Sequence, residues 1–211
     1  MAKRVSELTP EEFQKTFPIV LKPYNPAYKD WYEAEKELIL RTVSRSDVVR
    51  IQHIGSSAVP GLIAKPIVDI LMEIDGACRV NDMLEALKAI DFGVEMTTKS
   101  ENPFRVLLTK GMTCDGFAEK VFFLHVRYLG DWNEPYFRDY LLAHPDAALE
   151  YGRLKEKILD DINAGRLERM PNGRPNGYSR AKLAFVQELT AKARQEFGDR
   201  YKPKRFQPDE T

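Results

Sequence analysis

From Ile67 to Ile74 the chain reads Ile-Val-Asp-Ile-Leu-Met-Glu-Ile, an apolar run interrupted by two acids. A run that does not alternate predicts a strand covered on both faces, in the middle of a sheet. Val48 to Ile54 is a second β-rich stretch. Val94 to Met96, Arg105 to Thr109 and Glu119 to Tyr128 add further strands, with a turn expected at Lys110-Gly111. Ile19-Val20-Leu21 reads as one more short strand. Helical spacing governs the remainder. Thr9-Pro10-Glu11-Glu12 is a helix start with Thr9 as the cap, stopped by Phe17-Pro18. Asn25-Pro26 opens a longer helix to about Ser46, with Tyr28, Trp31, Tyr32, Ala34, Leu38 and Val43 on its apolar face. Asn81 or Asp82 caps a helix through Leu84 and Leu87, which ends near Gly93. Asp131 or Asn133 starts another, broken at His144-Pro145, and a further helix follows from about Asp146 to Asn163. The last helix, about Ser179 to Phe197, is expected to bury Leu183, Val186, Leu189 and Ala193.

Strands dominate the middle of the chain and helices its last third. This order predicts an α/β (α+β) fold, a mixed β-sheet covered by helices with a helical C-terminal part. We expect one domain over residues 1–200, with the sheet core at about 18–130 and a helical subdomain at about 131–198. Residues 199–211, charged and proline-containing, read as a mobile tail. The stretch 171–177 repeats Pro-Asn-Gly and reads as a loop, in which Arg169 and Arg174 mark a candidate lid.

Composition narrows the function classes. The 211 residues are 43% apolar and 30% charged, as expected of a folded soluble protein. Lys plus Arg number 32, as do Asp plus Glu, so the formal net charge is zero. A neutral total argues against a dedicated nucleic-acid binder, while leaving room for a local basic face. Cys78 and Cys114 are far apart, without CxxC pairing, which implies neither a disulfide framework nor a zinc cluster. The chain begins Met-Ala-Lys-Arg without an apolar signal segment, and no run approaches the roughly 18 apolar residues of a membrane span. The expectation is a cytoplasmic protein that does not engage a membrane; the pattern specifies no oligomeric state.

The chemistry concentrates between His53 and Asp69. Gly55-Ser56-Ser57 follows a strand directly. A glycine there lets the backbone approach a ligand, and adjacent hydroxyls with free N–H groups bind phosphate oxygens. Asp69 lies on the next buried strand, where a carboxylate is costly unless it is paired or metal-bound. Mg²⁺ is the natural partner, because it accepts one or two carboxylates and keeps water and substrate phosphate as further ligands. The plainer alternative is a Gly-Ser turn joining two strands, with Asp69 satisfied by backbone N–H groups.

The run His53-Ile54-Gly55-Ser56-Ser57-Ala58-Val59-Pro60-Gly61-Leu62-Ile63-Ala64-Lys65-Pro66-Ile67-Val68-Asp69-Ile70-Leu71-Met72 resembles the GrpB family. Phe123-Leu124-His125-Val126, Phe137-Arg138-Asp139-Tyr140-Leu141-Leu142-Ala143-His144-Pro145, Tyr151 with Lys155, and Tyr178 with Lys182 extend the resemblance over roughly residues 20 to 190. The resemblance implies a nucleotidyltransferase-like α/β fold and a domain found alone or joined to dephospho-coenzyme A kinase. It fixes the fold more narrowly than the reaction. The general nucleotidyltransferase pattern carries a second carboxylate two residues after the first, and here that position is Leu71. Glu73 shares the face but sits roughly 13 Å from Asp69 at about 3.3 Å per residue, too far for one ion.

Several side chains are candidates to complete the site. His125, mid-strand on one face with Phe123 and Arg127, is placed to ligate a metal beside Asp69 or to act as general base; the alternative is a core histidine. Lys65 precedes the Asp69 strand and can meet a phosphate at the Gly-Ser turn. Arg138 is a candidate phosphate clamp or a partner for Asp69, against a structural Arg–Asp network joining helix to sheet. Tyr151 and Lys155, like Tyr178 and Lys182, stand at i, i+4 spacing and share a face. Lys182 is the better phosphate candidate of the two lysines, against solvated lysines packed on tyrosines. The expected function is Mg²⁺-dependent transfer of a nucleotidyl or phosphoryl group from a nucleotide or phosphorylated small molecule. The alternative is a binding domain that senses such a ligand without transfer chemistry.

Overall fold

The structure is a computed structural model that describes residues 5–97, 104–167 and 177–204. Five strands, β1 (Val48–Ile54), β2 (Val68–Ile74), β3 (Gly93–Thr97), β4 (Arg105–Thr113) and β5 (Gly116–Tyr128), form one sheet in the order β1-β2-β5-β4-β3. β2 is antiparallel to β1 and parallel to β5, and the other pairs are antiparallel. The mixed sheet follows from the connections. A two-strand antiparallel step needs only the loop 55–67, whereas β2 returns to lie beside β5 through a helix and the β3–β4 hairpin.

The helices are α1 (Pro10–Thr16), α2 (Ala27–Thr42), α3 (Val80–Lys88), α4 (Asn133–Ala143), α5 (Pro145–Asn163), α6 (Tyr178–Ala181) and α7 (Leu183–Phe197). Alternation divides the sheet into two unlike faces. Ile70, Met72 and Ile74 with Leu124, Val126, Val106 and Leu108 form one core with Tyr28, Tyr32 and Ile39 of α2 and Met83, Leu84 and Leu87 of α3. Each fully buried aliphatic side chain there contributes about 1.5–3 kcal/mol. The other face carries Asp69, Leu71 and Glu73, which stand opposite Phe123, His125 and Arg127 on β5. A second cluster lies with the C-terminal helices, in which Val59 and Leu62 of the 55–67 loop meet Phe137, Leu141, Tyr151 and Leu189. The helical C-terminal part is thereby fastened to the loop that carries the Gly-Ser motif. Among the described residues, no helix is long and apolar enough to cross a membrane.

Several boundaries differ from those expected. Residues 19–21 are not a strand; a lone bridge joins Lys22 to Ala64, because Pro18 and Pro23 on either side lack the donors a ladder needs. β4 does not turn at Lys110-Gly111 but continues to Thr113. Gly111 absorbs an irregularity in the β4–β5 register at φ 85°, where a Cβ would collide with the Lys120 carbonyl. α2 ends at Thr42, four residues early, as Val43 turns extended and buries its side chain. α3 begins at Val80 ahead of both predicted caps. Leu183, expected in the core, is exposed, because α6 and α7 break at Lys182. The segment from 199, expected to be a tail, is packed at Tyr201. Its hydroxyl donates to Asp139 Oδ2 at 2.6 Å, its carbonyl accepts from Arg50, and its ring meets Tyr136 edge-on at 5.1 Å. The Pro-Asn-Gly stretch before Gly177, with Arg169 and Arg174, lies outside the described residues, as do 205–211.

Candidate functional site

β1 delivers the chain to Gly55, which adopts φ 72° and ψ −171°, followed by a 3-10 turn over Ser56–Ala58. The positive φ is readily accessible to glycine and strained for other residues. It folds the turn back over the first half of β2, so that Gly55 lies against the Asp69 carboxylate. In register Asp69 stands between Ile54 on β1 and Phe123 on β5. Its Oδ1 is 3.2 Å from Nε2 of His125, one step along β5 on the same face. Both side chains remain about a quarter to a third exposed, so the pair opens onto solvent. Two ligands of one octahedral ion at about 2.1 Å lie about 3 Å apart, a spacing this pair matches. Among the described residues, no group of three or more His, Cys, Asp and Glu side chains is arranged to hold an ion. Ligands beyond these two therefore have to come from water or a bound molecule.

Above the turn lie three lysines. Lys155 on α5 is 1% exposed, and its Nζ donates to Ser56 Oγ at 3.1 Å and to the Ile63 carbonyl. Burial pulls its ammonium down to about 7, and the neighbouring Lys182 pushes the same way. Lys182, at the α6–α7 junction, is half-buried with its Nζ 4.4 Å from the Tyr178 ring centroid. Burial first and then Lys65 lower it to about 8, while Asp69 acts in the opposite sense. Lys65 stands 5.8 Å from the ring of Phe123, the register partner of Asp69. Tyr151 and Tyr178 are buried beside these lysines, and desolvation raises both phenols well above their ordinary value. Gly55 and His125 thus lie against Asp69, Ser56 meets Lys155, and Lys65 and Asp69 are both near enough to Lys182 to act on its charge.

The match to the family model described as GrpB protein extends over residues 18–192. The chain belongs to the GrpB family. It is 32% identical to the glutamate-rich protein GrpB of Alkalihalophilus pseudofirmus over 175 residues, covering 81% of this chain and 93% of that protein. It is 33% identical to the UPF0157 protein YqkA of Bacillus subtilis over 147 residues, 66% of this chain; the chain spans 40% of the length of YqkA. The crystal structure of the conserved protein GrpB from Enterococcus faecalis superposes with a TM-score of 0.66, covering 84% of this chain and 99% of that one, at 23% identity. That likeness establishes the fold, including the mixed sheet and helical cover.

Two of the expected site residues of this GrpB-family chain do not face the cleft. Ser57 is 1% exposed and holds Nε2 of His53 at 3.1 Å, so its hydroxyl stabilises the turn from inside. His53 itself points to the α2 side of the sheet, stacked on Tyr32 at 4.9 Å, and burial depresses it to about 4. Arg138 pairs with Asp139 rather than Asp69. Its guanidinium donates to Asp139 Oδ1, the His53 carbonyl, Gln52 Oε1 and the Tyr201 hydroxyl, which makes it the structural link from α4 to β1. Glu73, fully buried, is held by Arg50 and by the Gly130 N–H. Lys155 is the residue that sequence reasoning underrated. Its spacing from Tyr151 gave the signal, but its burial depends on α5 lying close to the 55–67 loop. Gly152 lies at this seat, where an added Cβ would be in ordinary contact with Ile63 and Leu62.

Proposed function

We propose that this GrpB-family chain binds the phosphoryl end of a nucleotide or phosphorylated small molecule between Ser56 and Asp69 and transfers a nucleotidyl or phosphoryl group from it. The observation that carries the reading is the nearness of the solvent-exposed Asp69–His125 pair to the Ser56 turn and the lysines beside it. Gly55 keeps side-chain bulk out of the space beside Asp69. Lys65, Lys155 and Lys182 bind and orient the phosphoryl oxygens, and low dielectric strengthens that attraction. His125 has one of two roles: Nε2 ligates an ion beside Asp69, or Nε2–H donates to Asp69 and Nδ1 is the nitrogen that takes a proton from an acceptor hydroxyl.

Asp69 with His125 would hold a divalent ion whose role is to neutralise charge on the transferring group. Mg²⁺ is suited to Asp69 with phosphate and water, whereas an imidazole ligand favours Mn²⁺ or Zn²⁺. A second reading, a binding domain that senses the ligand without transferring it, is favoured by Leu71. That side chain is fully buried at the place where a second acid would bind an ion.

Calorimetry with ATP, GTP, CTP and UTP, each with and without Mg²⁺ or Mn²⁺, tests both readings. Metal-dependent binding that Asp69→Asn abolishes supports transfer, and product analysis with the best nucleotide then identifies the group moved. Metal-independent binding that survives the substitution supports the sensor. Absence of binding by every nucleotide and by phosphorylated sugars sinks both.

A further inference from the structure

On the reading that the cleft binds a phosphoryl group, we propose that it selects one bearing two negative charges, a phosphate monoester or the terminal phosphate of a nucleotide, and that Lys155 reads the second charge. Lys155 donates to neutral oxygens, those of Ser56 and Ile63, and its Nζ lies 4.7 Å from the Tyr151 ring. Lys182 and Lys65 rest on the rings of Tyr178 and Phe123. Among the described residues, none of these three ammoniums has a carboxylate within salt-bridge distance, whereas Lys110, also largely buried, stands 2.8 Å from Glu35. Like charges gathered without a counter-ion raise the free energy of the empty site, and an anion of matching charge removes that cost.

The charge count selects the ligand. Lys155 meets Tyr151 on its own helix and Ser56 on the turn, and Lys182 and Glu156 act on its charge; Lys182 in turn feels Lys65 and Asp69, and Asp69 holds His125 on its far side. Glu156, next to Lys155 in sequence, is exposed to solvent. With all three lysines protonated and no metal ion bound, the Asp69 carboxylate leaves two positive charges, which a phosphate dianion cancels and a diester or carboxylate does not. A phosphate monoester becomes a dianion above a pKa of about 6. The empty site holds Lys155 near about 7 and Lys182 near about 8, so binding a dianion at mildly alkaline pH recruits a proton onto lysine.

The test is calorimetry on the whole chain with phenyl phosphate and its singly charged methyl diester, repeated in two buffers of unlike ionisation enthalpy. We expect the monoester to bind at least about ten-fold tighter than the diester, with net proton uptake at about pH 8. Lys155→Met should reduce that preference to about two-fold and remove most of the proton uptake, and Lys182→Met provides a second variant if the first is poorly folded. Equal affinity of the wild-type chain for monoester and diester overturns the dianion proposal while leaving phosphate binding intact. A preference that survives Lys155→Met overturns the role of that residue. Failure of both probes and of inorganic phosphate to bind overturns this inference together with the phosphoryl reading beneath it.

Discussion

A Cβ placed on Gly55 would lie 2.7 Å from Oδ2 of Asp69. The glycine and the carboxylate are therefore one unit, in which the turn and the acid fit only without a side chain between them. Gly55→Ala meets two penalties, strain at φ 72° of about 1–3 kcal/mol and displacement of the carboxylate. We expect a lower denaturant midpoint together with weakened metal-dependent nucleotide binding. A variant that loses stability yet binds with unchanged affinity would show that Asp69 need not keep this position.

Lys155 gives the ligand-free protein an unusual pH dependence. Its folded pKa is lowered to about 7 from the ordinary 10.5. Between those values the unfolded chain keeps a proton that the folded chain has released, so stability rises with pH across the window. The slope reaches at most about 1.4 kcal/mol per pH unit for one such group. Urea unfolding at about pH 7, 8 and 9 should show rising stability, and Lys155→Met should flatten it between about pH 7 and 8, leaving the part above pH 8 that Lys182, lowered to about 8, contributes. Saturating phosphate should flatten it as well, by keeping the lysine charged.

His53 works on the acid side with the same sign. Burial depresses it to about 4 from 6.5, so stability falls as pH drops from about 6.5 toward 4, where the unfolded chain takes up a proton that the folded ring refuses. His53→Gln can keep a hydrogen bond to Ser57 without titrating. Its unfolding midpoint should vary less between pH 4 and 6.5 than that of the wild type; an equal slope would assign the acid lability to carboxylates such as Asp139.

The sequence disclosed the parts whose signal is local. The apolar run ending at Ile74 revealed the buried strand, and the Gly-Ser turn before it pointed to the place where Gly55 lies against Asp69. What joined Asp69 to His125 was the parallel pairing of β2 with β5 one step out of line, a long-range register that alternation along either strand does not contain. The same limit explains Arg138, whose partners Gln52, His53 and Tyr201 come from β1 and from a segment whose composition resembled a tail. Lys155 was visible as one of a Tyr–Lys pair. Its burial belongs to the seat of α5 on the 55–67 loop, which only packing decides.

Arg50 and Glu73 offer the control that separates fold from site. Glu73 lies on the same face of β2 as Asp69 but is fully buried, with Arg50 Nη2 2.7 Å from its Oε1 and the Gly130 N–H at 3.1 Å. Arg50→Met leaves that carboxylate in the core with only the Gly130 contact. Breaking a buried pair from one side costs about 3–5 kcal/mol. Glu73→Leu added to Arg50→Met removes the orphaned charge and should recover a large part of that loss. Recovery should stop short of complete, because Arg50 also donates to the carbonyls of Gly130 and Tyr201 and stacks on the Tyr201 ring. Phosphate affinity, measured where each variant is still folded, should stay within about two-fold of wild type, since additivity holds for sites without shared partners. A large loss of affinity in the double variant would mean that the Arg50–Glu73 pair sets the position of Asp69 along β2.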